Sequence, residues 1–282
     1  MVKKYQWQLT RIPKSKTKKF GEGGKRTKGI LKKKPLFSVI TAVYNGEKFL
    51  EKTITSVINQ KCKDFEYIVI DGGSTDKSLE IIKKYEKKID YWVSEKDKGI
   101  YDAFNKGMIV SKGEFIGFIN SDDIYKKKAL SIISSYIRKN KVTDFIFGSV
   151  KKHWGILHGY DPHKIKYSWG FYSSHSTGFF IKRKVAEKVG FYNIKYKYHA
   201  DYDYFYRLIV KNKMRGISTK KNEIVGIFRR GGFSSKISFW KKLKEDIRIR
   251  YDNDQNIFLL ILIFINKFLR NIDQILKDIK NK

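Results

Sequence analysis

From Phe37 onward the chain alternates short apolar, β-branched runs with longer stretches whose apolar residues recur every three or four positions. The runs Phe37 to Tyr44, Glu66 to Ile70, Tyr91 to Ser94, Phe115 to Ile119 and Asp144 to Val150 predict strands. Between them, Glu47 to Gln60, Ser74 to Lys88, Gly99 to Val110 and Lys126 to Asn140 predict helices. Consecutive strand-helix units imply right-handed crossovers, hence an α/β fold with a mostly parallel central sheet flanked by helices. After Val150 the rhythm breaks. Residues 151–235 hold all five histidines, many aromatics and the Gly231-Gly232 turn, and read as a mixed half that covers the edge of the sheet. Together with 35–150 they make one domain, 35–235. Residues 236–282 read as basic amphipathic helices, and residues 1–34, polar and glycine-bearing without either period, as a basic extension.

Composition narrows the class. In 282 residues, 41% hydrophobic and 15% aromatic side chains suffice for a packed core. Cys62 is the single cysteine, which excludes a disulfide within the chain and a thiolate metal cluster. The N-terminal lysines have no apolar segment behind them, so no secretory signal is expected and a cytoplasmic setting is. The net charge of +33 is the outlier. Residues 1–34 carry 13 Lys/Arg against one acid and residues 236–282 carry 11 against six, blocks that suit an anionic surface; a solvated lysine-rich coat is the plain alternative. Near the C-terminus, Ile257 to Ile265 is a run of nine apolar residues followed by Lys267 and Arg270, well short of the about 20 needed to span a bilayer. Such a run fits a helix docked on the protein's own core or one lying in a membrane interface. With the basic arm, peripheral attachment to the inner face of the cytoplasmic membrane is the preferred expectation.

The chemistry-bearing residues gather in turns that follow strands. Asp71-Gly72-Gly73-Ser74-Thr75-Asp76, Glu95-Lys96-Asp97-Lys98-Gly99 and Asn120-Ser121-Asp122-Asp123 each come after an apolar run. A parallel sheet lines them along one edge, where open α/β sheets bind ligands. Clustered carboxylates repel one another unless a cation or hydrogen-bond donors sit among them, which argues for a divalent metal and a polar ligand. Asp122 and Asp123 are the candidate metal ligands, with capping of the next helix as the alternative. Ser74 or Thr75 can cap a helix, but capping leaves Asp71 unexplained. On a helix from Gly99, Asp102 and Asn105 share one face. Asp201 and Asp203 flank Tyr202 at the start of a helical run and, two apart, point to different faces, so one of them enters a pocket. The histidines at 153, 158 and 163 fit neither one helix face nor one strand face and are expected at the surface or in packing. No GxGxxG and no Walker loop is found.

Taken in order, Ser38-Val39-Ile40-Thr41-Ala42-Val43-Tyr44-Asn45, the Asp71 to Asp76 turn, Glu95 to Gly107, Asn120 to Asp123, and Ala200-Asp201-Tyr202-Asp203 with Arg207 resemble the inverting family 2 glycosyltransferases of bacterial cell-surface polysaccharide synthesis. The resemblance covers residues 36 to about 232. It implies the GT-A fold, a nucleotide-diphosphate sugar donor with UDP-sugar foremost, Mn²⁺ or Mg²⁺ as cofactor, and a glycan or lipid-linked acceptor. It also implies that Asp71 hydrogen-bonds the nucleobase, with Thr41, Val43, Tyr44 and Asn45 packed beside it, and that Lys98 meets a phosphate. Asp102 and Asn105 would lie near nucleotide and sugar. Asn120, Ser121 and Asp122 hold the place of the family's Asp-x-Asp motif, whose first acid is Asn120 here. Asp201 holds the place of the catalytic base; because the usual preceding Glu is Ala200, Asp203 stands as a substitute. His175 is the candidate facing the acceptor. A sugar nucleotidyltransferase would share the acidic edge but needs a glycine-rich basic loop after the first strand, which Tyr44-Asn45-Gly46-Glu47 is not. A nucleic-acid-binding protein would explain the charge, yet no recognised motif appears and acids in the cleft would repel phosphates, so nucleic acid is not an expected partner.

Overall fold

The structure, a computed structural model, describes residues 11–12, 18–30, 34–167, 176–229 and 237–272. Its strands are β1 (Lys19–Gly23), β2 (Phe37–Val43), β3 (Phe65–Asp71), β4 (Tyr91–Glu95), β5 (Phe115–Asn120), β6 (Ile124–Tyr125), β7 (Phe145–Phe147), β8 (Ser149–Lys152), β9 (Gly155–Leu157), β10 (Phe179–Lys182), β11 (Gly216–Ser218) and β12 (Ile224–Ile227). The helices are α1 (Glu47–Ile58), α2 (Ser78–Lys84), α3 (Ile100–Val110), α4 (Ala129–Lys139), α5 (Arg183–Val189), α6 (Ala200–Tyr206), α7 (Phe239–Asp252) and α8 (Ile257–Arg270). The main sheet runs β1-β4-β3-β2-β5-β10-β7-β11, and a smaller one runs β6-β12-β8-β9.

β2 is parallel to both β3 and β5, and β3 to β4, so these strands end on one edge as their sequence predicts. Every residue of β2 is buried. Alternate side chains go to opposite faces: Val39 and Val43 join the core with α1 and α4, while Ile40 and Ala42 join the core with α3, α6 and Ile249 of α7. The mixed half enters through β10, which is antiparallel to β5 and to β7.

The structure departs from the sequence pattern in three places. The single run Asp144 to Val150 is two strands in different sheets, β7 and β8, and the chain changes sheets at Gly148. A Cβ there would stand 2.4 Å from Val225 Cγ2, so only glycine allows the crossing. The helix expected from Ser74 starts at Ser78, because Asp71, Asn45 and Asp76 hold residues 73–78 in a hydrogen-bonded loop first. The described residues 18–30 of the basic extension are built in: β1 pairs antiparallel with β4, and Arg26 is buried in an ion pair with Glu66 while donating to the Val110 carbonyl at 2.6 Å. Alternation failed to reveal β1 because it is an edge strand of five residues with two glycines.

Candidate active site

The carboxyl ends of β2 to β5 and the N-terminus of α6 bound the candidate site. At the β3 end, Asp71 is fully buried. Its carboxylate accepts from Ser94 Oγ at 2.6 Å, Ser74 N at 3.1 Å, Gly73 N at 3.3 Å and the Ser74 hydroxyl, so it pins the 72–76 turn. The turn is pinned from the other side by Asn45, in the left-handed region at φ 49°, whose Oδ1 accepts from Thr75 N at 2.8 Å. Tyr44 next to it is exposed. Thr41 faces the other way, its hydroxyl 3.0 Å from the Tyr67 hydroxyl inside the core, and Val43 offers the edge only a carbonyl already bonded to Gly72 N. A side-chain contact from Thr41 to a ligand is thus not what the fold provides.

Helix α3 brings a similar sorting. Asp102 accepts from Lys98 N at 3.0 Å and holds the turn into the helix, and Lys98 itself projects into solvent. Asn105, expected beside a donor, is turned inward and exchanges two hydrogen bonds of 2.9 Å with the backbone of Tyr192, which clips α3 to the mixed half. Asp97, in the second of the acid-bearing turns, lies against Gly72; burial pushes its carboxyl up to about 6, against the hydrogen bond from Gly99 N.

The β5 end separates its two aspartates. Asp123 is fully buried and accepts from the Thr177 hydroxyl, Arg229 N at 3.2 Å and Asn120 Nδ2 at 3.2 Å. Burial, then the charge of Asp122, pushes it up to about 7. Expected from the sequence as a metal ligand, it is here an internal acceptor joining β5 to the 176–178 turn and the chain after β12. Asp122 is the acid that faces outward, with Arg229 Nη2 3.2 Å from Oδ2. A hard divalent ion takes oxygen ligands, keeps waters, and in nucleotide sites leans on one or two carboxylates plus substrate phosphates. Asp122, flanked by Ser121 and the Asn120 amide, fits such an ion bound jointly with a diphosphate. Among the described residues no three His, Cys, Asp or Glu side chains converge as a self-sufficient metal site.

The two acids of α6 are sorted just as clearly. Asp203 is buried in an ion pair with Arg207, Nε to Oδ2 at 3.0 Å, and accepts from Asn253 Nδ2 at 3.0 Å. The sequence offered it as the alternative to Asp201 as base. Asp201 is half-buried at the helix start, where Oδ1 accepts from Tyr202 N at 2.9 Å and Tyr101 Oη at 3.3 Å. Burial pushes its carboxyl up to about 6, against those hydrogen bonds. Glu245 of α7 fixes the approach to α6 by accepting from Lys197 N at 2.8 Å, Tyr198 N at 2.6 Å and His199 N at 2.7 Å.

Two cations escaped the sequence analysis. Arg229, with its guanidinium 3.8 Å from the Phe49 ring centre, links the acid edge to the chain after β12. Lys152 ends β8 beside it, its ammonium 4.4 Å from the Phe228 ring centre and within electrostatic reach of both Asp123 and Asp201; burial lowers its pKa. Arg229 stands two residues before Gly231-Gly232, a signal that was available; Lys152 is one lysine among dozens and had none. His175 and the Gly231-Gly232 turn lie outside the described residues.

Residues 38–200 match the family model described as Glycosyl transferase family 2. A Mycobacterium tuberculosis protein named as a PGL/p-HBAD biosynthesis glycosyltransferase is 28% identical over 232 residues, 76% of this chain and 86% of that one. An uncharacterized glycosyltransferase of Methanocaldococcus jannaschii is 32% identical over 193 residues, 64% of this chain and 66% of the relative. Among solved structures, S. aureus TarS 1-349 in complex with UDP-GlcNAc superposes with a TM-score of 0.62 at 20% identity, over 83% of this chain and 72% of that one. The Pyrobaculum calidifontis mannosyltransferase in complex with GDP-Man and Mn²⁺ gives 0.59 at 14%, over 84% and 70%. These two likenesses bear on the fold, which is GT-A.

Proposed function

This chain belongs to glycosyl transferase family 2, and on that premise we propose that it moves a sugar, with inversion, from a UDP-sugar to a hydroxyl of a glycan or lipid-linked acceptor in cell-surface polysaccharide synthesis. The observation that carries the reading is an outward acid at the sheet edge, Asp122, together with a half-buried, raised-pKa acid at the start of α6, Asp201, with Lys152 within electrostatic reach of both Asp201 and Asp123, the neighbour of Asp122. The first suits a cation and diphosphate; the second suits a general base, since a carboxyl near 6 is ionised at neutral pH yet basic enough to take a proton. UDP-GlcNAc in the staphylococcal relative and Mn²⁺ in the archaeal one support the donor class and the cofactor.

Asp122 and Ser121 would hold a Mn²⁺ or Mg²⁺ together with the donor diphosphate, and the bound ion supplies charge neutralisation for the leaving group. Asp201 accepts the proton of the acceptor hydroxyl as its oxygen bonds to the anomeric carbon and the carbon-oxygen bond to the diphosphate breaks on the opposite face. Tyr101 and the Tyr202 N–H keep the Asp201 carboxylate aimed, and Glu245 keeps α6 in place. Asp97, Tyr44 and Asn45 line the nucleoside end. No helix among the described residues is long and apolar enough to cross a membrane, and the reading sets the enzyme at the cytoplasmic face as a peripheral protein.

The test is a screen of purified protein with UDP-, GDP- and dTDP-sugars, with and without Mn²⁺, reading released nucleoside diphosphate. Metal-stimulated release from one UDP-sugar, lost in Asp122→Ala, is the expected result. Absence of release and of binding for every donor would refute the reading.

A further inference from the structure

We propose that the outer face of the α7–α8 pair docks on an anionic lipid bilayer. Helix α8 buries only Leu260 and Ile263. Most of its other large side chains stay in solvent, with Phe258 at 73%, Leu262 at 64% and Leu269 at 61% exposure. With Ile257, Ile261 and Ile265, these fall on one side of the helix, and its polar residues Asn266, Lys267 and Arg270 fall off that side. Monomeric soluble proteins rarely leave so continuous an apolar face uncovered.

Its neighbour identifies the covering partner. The solvent side of α7 carries Lys241, Lys244 and Arg248, all exposed, on successive turns. Trp240 lies at the seam, its ring 6.0 Å from Phe268 of α8, and Lys267 pairs with Asp246 to fix the two helices together. An apolar helix beside a basic stripe, with tryptophan between them, is the composition of a bilayer interface: chains meet the apolar face, headgroup phosphates meet the cations, and the indole sits at their boundary. A second copy is a poorer match, because a symmetric contact offers only this same patch from each copy and so supplies no anionic surface to these exposed cations.

The inner side of α7 gives the docking a purpose. Glu245 and Asn253 are the residues that hold the start of α6 and Asp203, so the bilayer would lie one helix away from Asp201. This deepens the proposed acceptor class by presenting the site to a lipid-linked hydroxyl. The test reads lipid binding alone, so failure of docking and failure of the transferase reading are distinguishable.

Full-length protein is floated with vesicles of phosphatidylcholine, alone or mixed with phosphatidylglycerol. Binding to the mixed vesicles is expected. It should fall about tenfold or more in Phe258→Glu/Leu262→Glu, and about tenfold in Lys241→Glu/Lys244→Glu/Arg248→Glu or on raising the salt. Circular dichroism and donor hydrolysis should be unchanged in both variants. Equal weak binding to both vesicle types overturns the proposal. So does a dimer in light scattering that Phe258→Glu/Leu262→Glu splits, which assigns the face to a second copy. Binding that appears only after removal of residues 273–282 overturns it too, by assigning the face to the chain's own tail.

Discussion

Arg229 Nη2 lies 3.2 Å from Asp122 Oδ2, so the outward acid of the sheet edge is neutralised by a cation from 107 residues further along the chain. On the proposed reading, a diphosphate arriving with its own cation would exchange that pair and leave Arg229 to face phosphate oxygens. Arg229→Ala is therefore expected to weaken UDP binding in Mn²⁺ about 10- to 100-fold, the usual worth of a charge-assisted contact. Asp122→Ala should remove the Mn²⁺ dependence of UDP binding altogether. Isothermal titration with and without metal checks both.

The raised pKa of Asp201 fixes the acid side of the pH profile. As a base it works only when ionised, so kcat/KM should fall about tenfold per pH unit below about 6. The nearby positive charge of Lys152 favours the ionised form, so Lys152→Met should move that limb to higher pH and Lys152→Arg should restore it. Initial rates across pH 4.5 to 8.5 would read the shift, about one unit or less at such partial exposure.

Asn105 separates structure from chemistry. Asn105→Ala strands a buried N–H and carbonyl of Tyr192, and should cost about 2–4 kcal/mol in urea unfolding. UDP-sugar affinity of the folded fraction should be unchanged. A selective loss of donor affinity without loss of stability would return Asn105 to the site.

Asp201 also taxes the fold. Its folded-state pKa, about 6, exceeds the ordinary 3.8, so the native state binds the proton more tightly than the unfolded chain does. Stability therefore falls as pH rises from 3.8 to 6, and the cost is complete above that. Asp201→Asn should gain about 1–3 kcal/mol at pH 8 and little at pH 4, by denaturant titration at both pH values.

The strand-helix alternation made the parallel half legible, because buried strands and amphipathic helices differ in period. It placed the candidate acids at the carboxyl edge of the parallel strands, yet could not say which way each one turns. Asp122 and Asp123 are adjacent and chemically identical, but Thr177 and Arg229, distant in sequence, draw only Asp123 inward. Asp203 is likewise held by Arg207 and by Asn253, which directly follows α7. Lys152 reaches the cleft through the sheet switch at Gly148, a tertiary event with no local signature.

On the proposed mechanism Asp201 is the base acting on a donor held at Asp122. The decisive comparison is wild type against Asp201→Asn for transfer rate and for UDP-sugar affinity in Mn²⁺. The kcat should drop about 10²- to 10⁴-fold with the donor Kd unchanged. A variant that transfers sugar at the wild-type rate would contradict it.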